Sequence, residues 1–201
     1  MVIFICKELE LPYEVVTKGE HKMEAYVAKN PFGVIPAIDT MRIGRRLCPL
    51  ESQAICKYLV SRYGRNTTLA PRSSNILGTA EYEQALSVEA YTTHMQLVKL
   101  GYEKKFNPMF GQRVDEKKCQ TYISQLEQAM TSYERSLSKQ KYLAGDYVTL
   151  VDLFHIPCGR ECSGNDLCVK PVLTLHTHPN ARRWWKDIPS RAAWKATLKS
   201  V

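Results

Sequence analysis

Apolar positions change their rhythm near residue 70. Before that point short apolar runs alternate with helical stretches; after it, long helical stripes dominate. Met1 to Leu9 predicts the body of a helix that opens with no Ser, Thr, Asp or Asn to cap it, so further sequence upstream is expected. Tyr13 to Thr17, rich in β-formers and preceded by Leu11-Pro12, predicts a strand. Lys22 to Lys29 reads as a short helix, and Asn30-Pro31-Phe32-Gly33 as a turn. Ile35 to Ile38 is a short apolar strand, with a second one placed near Arg42 to Leu47. Ser52 to Tyr63 closes this half as a helix with Ile55, Cys56, Leu59 and Tyr63 on one side.

Gly64 to Leu77 is polar and carries Pro71 and two serines, which marks a linker. Thr79 to Leu100 then predicts a long helix with Tyr82, Leu86, Thr93, Leu97 and Leu100 in its stripe. Asp115 to Ser138 predicts another, with Cys119, Tyr122, Leu126, Ala129, Tyr133 and Leu137. Thr149 to Asp152 has the form of a capping box, in which the Thr hydroxyl accepts from the backbone and the Asp carboxylate reaches back. Val148 and Leu153 stand where a hydrophobic staple closes. Leu153 to Cys158 continues as a buried helix, Pro179 suits a helix first turn, and Arg182 to Asp187 and Ser190 to Lys199 are short terminal helices. The order predicts an α/β half over residues 1–65 followed by an all-α half over 78–201.

Charge changes this picture little. The net charge of +8 divides evenly, +4 on residues 1–77 and +4 on 78–201, and the densest basic clusters are pairs such as Arg45-Arg46 and Arg182-Arg183. That is the pattern of a solvated basic surface, not of a nucleic-acid footprint. No apolar run approaches the roughly 18 residues of a membrane span, and no signal peptide is visible, so a cytoplasmic protein without membrane or nucleic-acid partners is expected. The seven cysteines show no paired ligand spacing; free thiols and no metal site are expected.

Four blocks and an ending carry a resemblance. They are Lys18-Gly19-Glu20-His21-Lys22; Asn30 through Ala37 (NPFGVIPA); Glu51 through Leu59 (ESQAICKYL); and Tyr142 through Asp146 running on through Thr149 to Pro157. The ending runs from Pro179-Asn180-Ala181 through Trp184-Trp185 to Trp194. In this order they resemble the glutathione transferases, most closely the phi-like type of fungi and plants. The resemblance spans residues 18 to 194 and implies an incomplete thioredoxin-like half followed by the family's all-helical half.

It also implies an activity: conjugation of glutathione, as cosubstrate rather than cofactor, to a hydrophobic electrophile, in a homodimer to which Phe32 contributes. Pro36 matches the family's cis proline, which exposes the backbone of Ile35 to pair with the cysteinyl unit of glutathione like an added strand. Ser52, at a helix start where unpaired N–H groups favour anions, would hold the γ-glutamyl carboxylate, and Glu51 its amine. The plainer reading is that Ser52 caps the helix and Glu51 favours its dipole, and the two roles are compatible. His21 and Lys22 would reach the glycine carboxylate, Lys22 keeping its charge at neutral pH. Asp152, His155 and the three tryptophans read as structural. Tyr91, His94 and Met95 are candidates for the electrophile pocket or for the core.

Three departures from the family pattern stand out. The first strand and turn, which in phi-like members carry a thiol-activating serine, have no counterpart, so no catalytic residue is assigned. Val34 stands where phi-like members carry a glutamine; a valine offers no side-chain hydrogen bond, a loss of roughly 1 kcal/mol. Thr40 to Leu50 is longer than the usual hairpin. These leave two rivals open: a non-catalytic glutathione- or ligand-binding member of the fold, and an interaction module like the one in translation elongation factor 1 gamma.

Overall fold

The computed structural model describes residues 1–15, 24–28, 30–38, 51–164 and 177–200, with backbone alone at 25 and 158–164. The chain divides into two compact units, Met1–Thr67 with Ala192–Val201, and Thr68–Arg191.

The first unit is built on α1 (Val2–Glu8), α2 (Glu24–Val27), α3 (Ser52–Tyr63) and a helix from the far end of the chain, α10 (Ala192–Leu198). Phe4, Ile5 and Cys6 of α1 are buried with Ile55, Cys56, Leu59 and Val60 of α3. Trp194 of α10 meets Phe4 edge-on, with ring centroids 5.3 Å apart. The Lys7 ammonium donates to the Ala196 carbonyl at 2.9 Å and to the Ser200 hydroxyl at 2.7 Å. A cation placed on the last carbonyls of a helix satisfies orphan acceptors and complements the helix dipole. The strand expected from Tyr13 forms no ladder over Tyr13–Val15, which are exposed, and Thr17 lies outside the described residues. From Ile35 to Ile38 the chain makes a single bridge position at Ala37. The Arg42–Leu47 strand and the long Thr40–Leu50 segment also lie outside the described residues.

In the second unit the long helix is longer than its periodicity predicts. It runs from Ile76 to Met109 as α4 (Ile76–Val88), a π-helical turn (Glu89–His94), α5 (Met95–Gly101), a second π-helical turn (Tyr102–Phe106) and α6 (Asn107–Met109). Asn75 caps its start, accepting from the Gly78 N–H at 3.0 Å. Each π turn resets the phase of the apolar stripe, which is why the 3.6 period fails beyond Leu100. The second turn buries Glu103, whose carboxylate accepts from Asn107 at 3.0 Å and from the Asp115 N–H at 3.3 Å. Asp115 caps α7 (Glu116–Leu137), whose predicted stripe is buried at Cys119, Leu126, Ala129, Tyr133 and Leu137 but only half-buried at Tyr122; Met130 is buried in addition. The α8 helix (Leu150–Gly164) is buried from Val151 to Ile156, and α9 (Pro179–Asp187) starts on proline and buries Ala181 and Trp184.

Asp152 organises the core of this unit. One of its oxygens accepts from the Leu143 N–H at 3.0 Å and the Trp184 indole at 2.8 Å. The other accepts from the Thr149 N–H at 2.8 Å and the Thr149 hydroxyl at 3.0 Å. The capping box therefore differs from expectation: the Thr149 hydroxyl donates to the carboxylate instead of accepting from the backbone. A fully buried carboxylate demands donors more strongly than one amide demands an acceptor. Burial pushes the Asp152 carboxyl above its ordinary value, against the pull of its four donors. Val148 and Leu153 are both buried, as the staple requires.

Candidate functional site

Two stretches of the first unit hold the described residues singled out from the sequence. The first follows α2. Asn30, fully buried, donates from its amide to the Val34 carbonyl at 2.6 Å and accepts from the Phe32 N–H at 3.1 Å. The Tyr26 hydroxyl donates to the same carbonyl at 2.7 Å. The turn closes through the Gly33 N–H on the Asn30 carbonyl at 2.9 Å, with Gly33 at φ +56°, a conformation glycine adopts without cost. Two donors on one carbonyl lock the segment in place. The next residue, Ile35, is 64% exposed, and neither its N–H nor its C=O is bonded among the described residues. The Ile35–Pro36 peptide is cis, and the side chain of Val34 is exposed.

The second place is the start of α3. Glu51 occupies the cap position at φ 68° and ψ 123°, a region that costs a non-glycine residue about 1–3 kcal/mol. No side chain caps the helix. The alternative role for Ser52, as the cap, is therefore corrected: Ser52 is the first helical residue, and the cap position belongs to Glu51. The first turn of α3 lies at the positive end of the helix dipole, the end that favours an anion. Glu51 is exposed and Ser52 half-buried. His21 and Lys22 lie outside the described residues.

Other candidates fall away on burial. The free thiols of Cys6 and Cys56 are buried, and burial pushes Cys56 up to about 12, so neither supplies a thiolate near neutral pH. His155 is fully enclosed and burial lowers it to about 4. Its Nδ1 lies 2.8 Å from the Val151 carbonyl, which can only accept, so Nδ1 carries the proton and Nε2 accepts from the Tyr133 hydroxyl at 3.1 Å. Tyr133 in turn pairs with the Thr93 hydroxyl at 2.8 Å. The chain of bonds ends inside the core, which gives the histidine a packing role. Tyr91 is 75% exposed and Met95 is exposed, so neither is core; His94 is half-buried, 3.7 Å from the buried Glu89 carboxylate. No group of three or more His, Cys, Asp or Glu side chains suited to a metal occurs among the described residues. Among those residues no helix is long and apolar enough to cross a membrane.

Sequence reasoning named Val34, Ile35, Pro36, Glu51 and Ser52, all in the first unit. It missed Tyr26 and Asn30, which hold the Val34 carbonyl. The signal available was an asparagine opening the NPFG turn, since a short amide side chain bonds its own backbone a few residues on.

An exposed Ile35 peptide and a helix start with no side-chain cap thus belong to the first unit, and the second unit is helical among the described residues. Two family descriptions match this chain: glutathione S-transferase, N-terminal domain, over residues 1–67, and glutathione S-transferase, C-terminal domain, over 90–192. The glutathione S-transferase PM239X14 of Arabidopsis thaliana is 38% identical over 194 residues, covering 92% of this chain and 85% of its own. Glutathione transferase F7 from Populus trichocarpa superposes with a TM-score of 0.85 at 28% identity, covering 98% of this chain and 91% of its own. Glutathione S-transferase I from maize, solved with an atrazine glutathione conjugate, gives a TM-score of 0.85 at 28% identity, covering 97% and 88%. The chain belongs to the glutathione S-transferase family, in its phi-like branch, with a thioredoxin-like N-terminal half and a helical C-terminal half.

Proposed function

We infer that this chain transfers glutathione to electrophilic small molecules and that its first unit holds the cosubstrate. The observation carrying this reading is the Ile35 peptide: exposed, unbonded, and presented by a carbonyl that Tyr26 and Asn30 lock in place. The cysteinyl unit of glutathione pairs with it as an added strand does. Val34 and Pro36 flank that pairing. The γ-glutamyl carboxylate sits at the positive end of α3 with the Ser52 hydroxyl, and Glu51 takes the amine. His21 and Lys22 serve the glycine carboxylate. No residue is assigned to thiol activation. The conjugate bound by the maize relative supports a hydrophobic electrophile as second substrate.

The wider reading is a cytoplasmic homodimer with a detoxifying role, in which Phe32, 76% exposed, contributes to the subunit contact. Residues 1–65 form the glutathione-binding domain and 78–201 the helical one. The test is the rate of glutathione conjugation to 1-chloro-2,4-dinitrobenzene, with glutathione binding measured alongside by calorimetry. Turnover above the uncatalysed rate, weakened by Ser52→Ala through a raised KM for glutathione, is expected. Binding without turnover selects a non-catalytic ligand-binding protein. Absence of binding by a folded chain overturns the assignment.

A further inference from the structure

The second unit carries a cleft that takes no part in the chemistry above. It measures about 470 Å³ and is lined by Lys141, Arg183, Lys186, Asp187 and Ser190. That volume is within the range of small-ligand sites. Arg183 and Lys186 stand three residues apart on α9 and so share a face, while Lys141 comes from the turn after α7. The guanidinium of Arg183 is fixed: it donates to the Leu137 carbonyl at the end of α7 at 3.3 Å and to the Lys141 carbonyl in the following turn at 3.0 Å. An arginine has five N–H donors, and these bonds use only two of them. The Lys141 ammonium lies 5.3 Å from the centre of the Tyr142 ring.

None of these three cations forms an ion pair with a carboxylate among the described residues. The acid in the wall, Asp187, accepts from the Tyr142 hydroxyl. Ser190 donates to the Asp187 backbone carbonyl at 2.6 Å, which leaves its oxygen as an acceptor. This open depression therefore gathers three exposed positive charges next to two oxygen acceptors.

We propose that this cleft binds a small, soluble phosphate monoester that also carries a hydroxyl group. A pre-positioned arginine fork with two flanking ammonium groups matches a tetrahedral anion with several terminal oxygens better than it matches a single planar carboxylate. Asp187 and Ser190 then receive the ligand's hydroxyl. The discrete cleft argues for a small molecule over a polyanion, which requires an extended basic stripe, and the chain's basic pairs are scattered.

The test is calorimetric titration of the full chain with glycerol 1-phosphate, inorganic phosphate and glycerol, each at an ionic strength held constant with sodium chloride. Saturable binding of glycerol 1-phosphate at one site, tighter than inorganic phosphate and absent for glycerol, is expected. The Lys141→Gln/Lys186→Gln double variant is expected to weaken it at least tenfold with an unchanged urea midpoint; Arg183 is left intact because it caps α7. No saturation up to about 10 mM, or equal binding by the double variant, overturns the proposal. So does binding to vesicles of anionic phospholipid that depends on Lys141 and Lys186 while the soluble ester fails to bind, which would make the surface a membrane contact.

Discussion

Around Asp152 and His155 the second unit completes its buried polar networks, although Gln96 Oε1 in the same unit has no hydrogen-bond partner among the described residues; the first unit leaves the Ile35 peptide open among those residues. Asp152 accepts four hydrogen bonds, and His155 uses both ring nitrogens in a run of bonds from Thr93 through Tyr133 to Val151. In the first unit Ile35 offers a free peptide, α3 begins without a cap, and Glu51 is held at positive φ. The contrast teaches where this fold spends stability and where it leaves backbone exposed. A completed network rigidifies; an incomplete one waits for a ligand to complete it.

The largest test of that contrast is Asp152→Ala. Removing the carboxylate strands the Leu143 N–H, the Thr149 N–H and the Trp184 indole in a fully buried place. A loss of about 4 kcal/mol in urea unfolding is expected. The protein that remains folded should bind glutathione as before. Weakened glutathione affinity with normal stability would show the carboxylate acting at the binding site instead.

His155 makes the same unit sensitive to acid. Its folded pKa, near 4, lies below the ordinary histidine value of 6.5. Above that ordinary value both states are neutral and stability is complete. As pH falls toward 4 the unfolded chain binds a proton that the folded chain refuses, and stability drops. About 2 kcal/mol is lost by pH 5 and about 3 kcal/mol in full. Urea midpoints at pH 7 and pH 5 measure this, and His155→Gln should remove that part of the slope.

In the first unit the effects reverse. Ser52→Ala should leave the urea midpoint nearly unchanged, because no side-chain cap bond is lost at α3. Glutathione affinity should fall roughly tenfold, about 1.4 kcal/mol, for a hydrogen bond to a charged group. A variant that instead loses stability and keeps its affinity would mark Ser52 as a helix-start residue and nothing more.

How much of this was legible follows the range of the interactions. The α3 helix and the start of α7 were readable because their signals lie within a few residues: an apolar stripe in one, an aspartate cap in the other. The family was readable from blocks such as NPFGVIPA and ESQAICKYL. The π turns were not, since an extra residue per turn leaves no local mark and shows only as a stripe that drifts out of phase. The packing of α10 on α1 was equally hidden, because Lys7 meets Ala196 across nearly the whole chain. The exchange of roles in the Thr149–Asp152 cap depended on Trp184 and Leu143, whose demand on the carboxylate no four-residue motif contains.

Val34 offers the smallest and sharpest test, because it separates a missing contact from a missing site. Its carbonyl is already fully engaged by Tyr26 and Asn30, so the turn does not depend on its side chain, which is exposed. A longer amide there can be accommodated without disturbing the core, and an amide carries both a donor and an acceptor for a peptide ligand. Val34→Gln should therefore tighten glutathione binding about fivefold, close to 1 kcal/mol, with the urea midpoint unmoved. Calorimetry of glutathione on the two chains reads this directly. If the glutamine adds nothing while Ser52→Ala still weakens binding, the ligand rests on α3 and not along Ile35, and the strand-like pairing assigned to that peptide is wrong.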